Sequence, residues 1–408
     1  REAHNLSDLS GIIPILDGIF GPGVVTNATI DIDILTDQFT QEFRLTSLTK
    51  GPLQWTVGMF YKDSSEFLGV DGDSTPPVSD LTGGFYSTLL LRDLDDDFQQ
   101  IAVFGEASYE VTDNLKATLG LRWFNETRES LVTVGGPFFG SDAPITSPTA
   151  KSDTSEVNPK FALSYDMGET MFYFTAAKGF RSGGANGFPA PPPLDSDSYE
   201  PDTLWGYELG TKSLFLDGNM IFKGALFYSK WENVQTKVPS TIPGFEAIIN
   251  GGDAHVQGIE LELTALLSDN FQADLSGSWL GESEYDDDST GSAAGDPLVG
   301  VAENNLNAAI THHYDITNDY SLISNLNYNM VGESYVVVGV PGVTPAYEIL
   351  NMSVSLQALD WSVTLFATNL LDEFILYRND GPYGDPTYEG AGLSGPPRTI
   401  GVRFGLDF

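Results

Sequence analysis

The chain contains no cysteine, which removes disulfide frames, thiol nucleophiles and zinc–thiolate sites. It also lacks any apolar run of about 18 residues or more, so no segment can cross a bilayer as a helix. Basic residues are scarce: 19 Lys and Arg stand against 57 Asp and Glu, a net charge of −38. That balance argues against a nucleic-acid partner, because phosphate neutralisation needs Lys and Arg in patches. No Pro-, Ser- or charge-rich linker divides the 408 residues, so one large architecture is the simpler reading.

What the chain has is alternation. Ile400, Val402, Phe404, Leu406 and Phe408 share one parity, while Thr399, Gly401, Arg403, Gly405 and Asp407 share the other. Such a strand has lipid on one side and water on the other. The pattern recurs at Leu115, Ala117, Leu119, Leu121 and Trp123, and again at Phe271, Ala273, Leu275, Gly277 and Trp279. Ile259, Leu261, Leu263 and Ala265 repeat it, as do Phe161, Leu163 and Tyr165. A soluble sandwich would alternate too. Tyr109, Trp123, Tyr165, Trp279, Tyr320, Tyr328 and Trp361 favour the membrane, because they fall near strand ends, where interfacial aromatic girdles form.

Tight polar turns at Gly51-Pro52, Asp113-Asn114, Gly168-Glu169, Asp217-Gly218, Asp269-Asn270, Asn318-Asp319 and Asp360 alternate with long irregular connections. Short turns on one side and long loops on the other are the pattern of an outer-membrane barrel. The fold class expected is therefore all-β: an antiparallel transmembrane β-barrel with short periplasmic turns and long extracellular loops. Counting strands along the pattern gives fifteen, the first starting at Asp37, which leaves residues 1–36 as an extracellular loop from a truncated start and 37–408 as barrel. An odd count implies that a preceding strand is missing and that the fragment does not seal by itself. The acidic clusters Asp93, Asp95, Asp96, Asp97 and Glu284, Asp286, Asp287, Asp288 read as solvated loop surface, or as divalent-cation sites between loops or toward lipopolysaccharide.

Several stretches then become recognisable: FTQEFRLTS from Phe39, WTVGMFY from Trp55, VFGEASYEVTDNLKATLGLRW from Val103, YFTAAKGFRSGGANG from Tyr173, YEPDTLWGYELGTKS from Tyr199, GGDAHVQGIELELT from Gly251 and ATNLLDEF from Ala367. In order and spacing they resemble the C-terminal barrel region of TonB-dependent outer-membrane receptors. The resemblance implies a barrel of about 22 strands, of which this chain supplies part. A plug domain and a TonB-contacting N-terminal region, both absent from this sequence, would complete the receptor. It further implies energised uptake of a scarce ligand such as a ferric siderophore, with outer-membrane lipid and lipopolysaccharide around the wall. No cofactor is expected. A passive porin or a barrel enzyme is the alternative, although no Ser, His and acid grouping stands out.

Two residue sets follow. Phe180, Arg181, Phe188, Trp231, Tyr335, Tyr377 and Arg378 lie at outer strand ends or in outer loops and are candidate ligand contacts; Arg181 could fork two hydrogen bonds to a carboxylate or phosphate, or cap a strand. Arg122, Lys160, Glu208, Lys212, Glu260, Glu262 and Arg403 take the polar parity and either solvate the lumen, pair with one another or face the plug. Of the histidines His4, His255, His312 and His313, the adjacent pair points to opposite faces and cannot share one metal ion.

Overall fold

The computed structural model describes residues 2–8, 13–48, 50–147, 149–186, 198–239, 246–289, 292–336, 343–379 and 392–406. Sixteen long strands form one continuous meander. They are β1 (Glu2–Asp8), β2 (Asn27–Thr46), β3 (Leu53–Thr75), β4 (Leu90–Glu110), β5 (Leu115–Gly136), β6 (Ala150–Met167), β7 (Thr170–Arg181) and β8 (Asp202–Phe215), followed by β9 (Met220–Glu232), β10 (Ala254–Ser268), β11 (Phe271–Tyr285), β12 (Asn304–Thr317), β13 (Tyr320–Val331), β14 (Tyr347–Gln357), β15 (Trp361–Thr368) and β16 (Thr399–Leu406). Each pairs antiparallel with the next in sequence. Among the described residues, β1 and β16 do not pair with each other.

The exterior is apolar. Leu119, Leu121, Leu209, Leu226, Leu261, Leu275, Leu326, Leu365, Val402 and Phe404, which a soluble protein would bury, stand exposed on one parity of the wall. Leu115 to Trp123, Phe271 to Trp279 and Tyr320 to Tyr328 are each eight residue-to-residue steps. That is about 26 Å of strand, close to the roughly 25 Å apolar band of an outer-membrane barrel. The buried clusters lie at the loop end instead: Leu16, Val25, Ala28, Val78 and Leu89 in one, Val234, Ala254, Tyr285 and Leu298 in another.

Two expectations change. Among the described residues the meander has sixteen strands rather than fifteen, because residues 1–36 are not loop throughout: Glu2–Asp8 pairs with Thr29–Leu35, α1 spans Ile13–Phe20, and β2 already starts at Asn27. Ile30, Ile32 and Ile34 alternate with Asp31 and Asp33 there, a strand pattern with acidic rather than neutral polar partners. The acidic run Asp93 to Asp97, expected as solvated loop surface, is likewise strand. β3 and β4 pair from Leu53↔Tyr109 to Gly72↔Leu90. Strands of 20 to 23 residues exceed the 9 to 11 or so that span a bilayer. Beyond the lipid both faces are wet, so backbone pairing continues while apolar alternation stops.

A candidate ligand-binding rim at the loop end

The inner parity of β4 and β5 carries Arg92, Leu94, Asp96, Arg128 and Ser130 above the membrane band. Two short hairpins fold against them: Gly184–Ala185 with Ser198–Tyr199, and Gln235–Pro239 with Glu246–Asn250. Asn186 locks the two together, donating to the Ile248 carbonyl and accepting from the Ile248 N–H, both at 2.7 Å. Gly183 is required where it sits, because a Cβ there would lie 2.5 Å from the Tyr199 carbonyl oxygen and 3.1 Å from Pro201 Cδ.

These pieces enclose a cavity of about 370 Å³, lined by Arg92, Leu94, Asp96, Arg128, Ser130, Ala185, Asn186, Tyr199, Lys237 and Ile248. Arg128 Nε donates to both Asp96 carboxylate oxygens, at 2.8 and 3.0 Å, and its Nη1 donates to the Gly183 carbonyl at 3.0 Å. Ser130 donates to the same carboxylate at 2.5 Å. Burial works against the Arg128 charge, but the Asp96 hydrogen bond and charge outweigh it and raise its pKa. Burial pushes Arg92 downward. Three of a scarce set of cations thus converge on one polar pocket, an arrangement that favours an anionic or chelate ligand.

Beside it, Arg181 is committed to the fold. Nε lies 3.1 and 3.0 Å from the two oxygens of Asp202, Nη2 also contacts that carboxylate and donates to the Gln235 carbonyl at 3.1 Å, and the guanidinium sits 4.4 Å over the Trp231 ring. Trp231 in turn packs against the Val234, Ala254, Tyr285 and Leu298 cluster. Phe180 stacks on Phe124 at 4.0 Å. Tyr335 bridges to Val299 and accepts from Gly300 N–H. Tyr377 meets Tyr347 edge-on at 5.7 Å and is half exposed, and Arg378 is backbone-paired with Leu393. Phe188 lies outside the described residues, as do Asp407 and Phe408. Phe180, Arg181, Trp231, Tyr335 and Tyr377 are not among the residues lining the cavity of Arg92, Arg128 and Lys237.

The residues of polar parity stand on the face opposite the exposed Leu121, Leu209, Leu261 and Val402. Lys160 pairs with Glu106 at 2.9 Å and Glu262 with Lys223 at 2.7 Å. Glu208 accepts from the Tyr173 hydroxyl, and Lys212 lies over that ring. Arg122 donates to Gln100 at 3.2 Å and covers Phe60, while Arg403 covers Phe366. Glu260 is inward on the same strand as Glu262, opposite Ala225. His312 stacks on Phe271 outside, and His313 meets Asp315 at 3.1 Å inside, so the two do face opposite ways. Arg92, Arg128, Asn186, Tyr199 and Lys237 are not among the residues singled out from the sequence, and Asp96 enters there only as part of an acidic cluster. Extending the Arg122 parity six residues would have reached Arg128, but nothing local marks Lys237.

An apolar outer face, a charged and polar inner face, tight turns at one end and a loop-built pocket at the other define the wall of an outer-membrane β-barrel. Residues 9–370 match the TonB dependent receptor-like β-barrel family, and the chain belongs to that family. It is 23% identical over 383 residues to the pesticin receptor of Yersinia enterocolitica, covering 91% of this chain and 52% of that one. A ferric-pyoverdine receptor of Pseudomonas putida is 28% identical over 195 residues, 47% of this chain and 22% of that protein. Among solved structures, the ferric yersiniabactin uptake receptor of Yersinia pestis superposes with a TM-score of 0.76 at 18% identity, covering 93% of this chain and 55% of its own. The ferric-catecholate import receptor of Escherichia coli gives 0.67 at 16%, covering 99% and 59%. The chain spans about half the length of the curated relatives it matches.

Proposed function

We propose that this chain forms the ligand-receiving wall of a receptor that takes up a ferric siderophore with energy delivered through TonB, and that it catalyses no reaction. The observation carrying this reading is the cavity at the loop end, where Arg92, Arg128 and Lys237 meet in a chain of net charge −38. Ferric chelates built on carboxylate, catecholate or phenolate oxygens present acceptors that such cations hold through charge-assisted hydrogen bonds. A relative named as a ferric-pyoverdine receptor supports the same class of ligand. On this reading a plug domain and a TonB-contacting region belong to the full-length parent, and lipid and lipopolysaccharide surround the wall.

The test is uptake of radiolabelled ferric catecholate, hydroxamate and phenolate chelates by iron-starved cells carrying the full-length parent, with and without TonB. One chelate class should enter only with TonB, and Arg128→Ala with Lys237→Ala should weaken its binding, more so at low salt. Uptake indifferent to TonB would instead favour a passive pore.

A further inference from the structure

Residues 238–377 contain no Lys or Arg. That gap divides the inner face of the wall into two sectors. From β2 to β10 the inward parity carries ion pairs, among them Arg44 with Glu42, Lys160 with Glu106 and Lys223 with Glu262. From β11 to β15 it carries amides and hydroxyls. Asn307 donates to Asn329 at 2.5 Å, Asn329 to Asn327, Asn325 to Thr311 at 2.9 Å and Thr364 to Ser355 at 2.9 Å. The register joins them laterally, Asn327 opposite Asn351 and Asn325 opposite Ser353. The ionisable groups on this sector, Asp274 and the His313–Asp315 pair, lie toward the tight-turn end, with Asp274 already bonded to Thr264 and Gln272.

The two sectors offer a passing solute different landscapes. A cation would hold an anionic chelate through a charge-assisted bond about twice as strong as a neutral one, and a carboxylate would repel it. A ladder of neutral donors and acceptors exchanges one modest hydrogen bond for a like one at each step, so there is neither trap nor barrier. Conduction requires that balance: contact favourable enough to enter and weak enough to leave. Resting on the uptake reading above, we propose that the amide-and-hydroxyl sector of β11 to β15 is the wall along which the ligand crosses the membrane.

Because this chain has no cysteine, single cysteines can be placed in it. Asn327→Cys and Ser353→Cys probe the neutral sector of the full-length parent. Ala177→Cys and Ala162→Cys probe comparable heights in the charged sector, and Ser353→Cys is nearly isosteric, so a folding defect at Asn327 does not decide the result. Whole cells are treated with a membrane-impermeant biotin-maleimide, with and without TonB. We expect labelling at positions 327 and 353 to rise several-fold with TonB, and positions 177 and 162 to stay low in both. Equal TonB-dependent labelling at all four positions, preference for 177 and 162, or no labelling at any, would overturn the sector assignment and leave the uptake reading standing. Equal labelling of all four without TonB would overturn both, since the lumen would then be an open pore.

Discussion

Arg181 holds the carboxylate of Asp202 with a two-pronged contact while its guanidinium lies over the Trp231 ring, and Arg181 and Asp202 differ sharply in exposure, 46% against 1% at the side chain. Asp202 also accepts the Gln235 backbone N–H at 3.0 Å, so this one carboxylate ties β7, β8 and the Gln235–Pro239 hairpin together. Removing the cation leaves a buried, poorly paired charge. Arg181→Ala should cost on the order of 3 kcal/mol, read as a lower denaturant midpoint of the parent protein. Arg181→Lys should recover only part of it, because an ammonium can neither fork to the carboxylate nor stack on the indole.

The wall was legible from the sequence wherever one face met lipid. Leu115 to Trp123 and Phe271 to Trp279 alternate because hydrocarbon tolerates only apolar side chains on that parity, and both became strands facing as expected. Past the lipid that constraint vanishes, which is why the acidic ladders of β2 to β4 read as loop. The pocket was harder. Arg128 and Asp96 lie on strands whose parity predicts inward side chains, but Tyr199, Asn186 and Lys237 arrive from hairpins whose docking depends on single contacts such as Asn186 with Ile248. Conversely, Arg181 carried the right chemistry for a ligand, and a buried carboxylate brought by β8 consumed it.

His255 should make the outer rim sensitive to pH. Its Nδ1 lies 2.6 Å from Asp286 and its Nε2 3.3 Å from Glu282, at the end of β10 above the Trp279 belt. Burial alone would lower its pKa, but the two carboxylates outweigh that and raise it. A raised folded value means the protonated form is the one bound. The stabilisation is fully present below the ordinary imidazole range and is lost as pH rises through the folded value. Between about pH 6 and about pH 9 the melting temperature of the parent should fall, and His255→Gln should flatten that fall. Identical profiles for the two proteins would show that the contact is not formed.

The two faces of β10 and β11 should respond oppositely to charge. Leu261 stands on the outer parity, half exposed, midway between tight turn and loop end, whereas Ser276 faces the lumen on the neighbouring strand. Leu261→Lys places an ammonium in hydrocarbon and should cost about 2–4 kcal/mol. Ser276→Lys places it in water and should cost less than about 1 kcal/mol. Reversible urea unfolding of the parent in lipid vesicles measures both, and a larger penalty at Ser276 would reverse the assignment of inside and outside.

The outer face of β2 to β4 above the membrane is an acidic wall under its own repulsion. Asp31 stands directly opposite Asp71, and Asp93 shares a pocket of about 500 Å³ with Asp31, Asp33, Asp71 and Asp73. Like charges placed opposite each other on a ladder destabilise it by roughly 0.2–1 kcal/mol. Burial raises the Asp93 pKa, and Asp95 and Asp71 raise it further. A carboxyl raised in the folded state stabilises fully below its unfolded pKa, and that contribution disappears as pH climbs through the folded value. Asp93→Asn, which cannot ionise, should therefore melt at a higher temperature than the unsubstituted protein at neutral pH. The difference should close as pH falls toward about 4, where Asp93 itself is protonated. A gap that persisted or widened at acid pH would mean that the amide gains from new hydrogen bonds rather than from relieved repulsion.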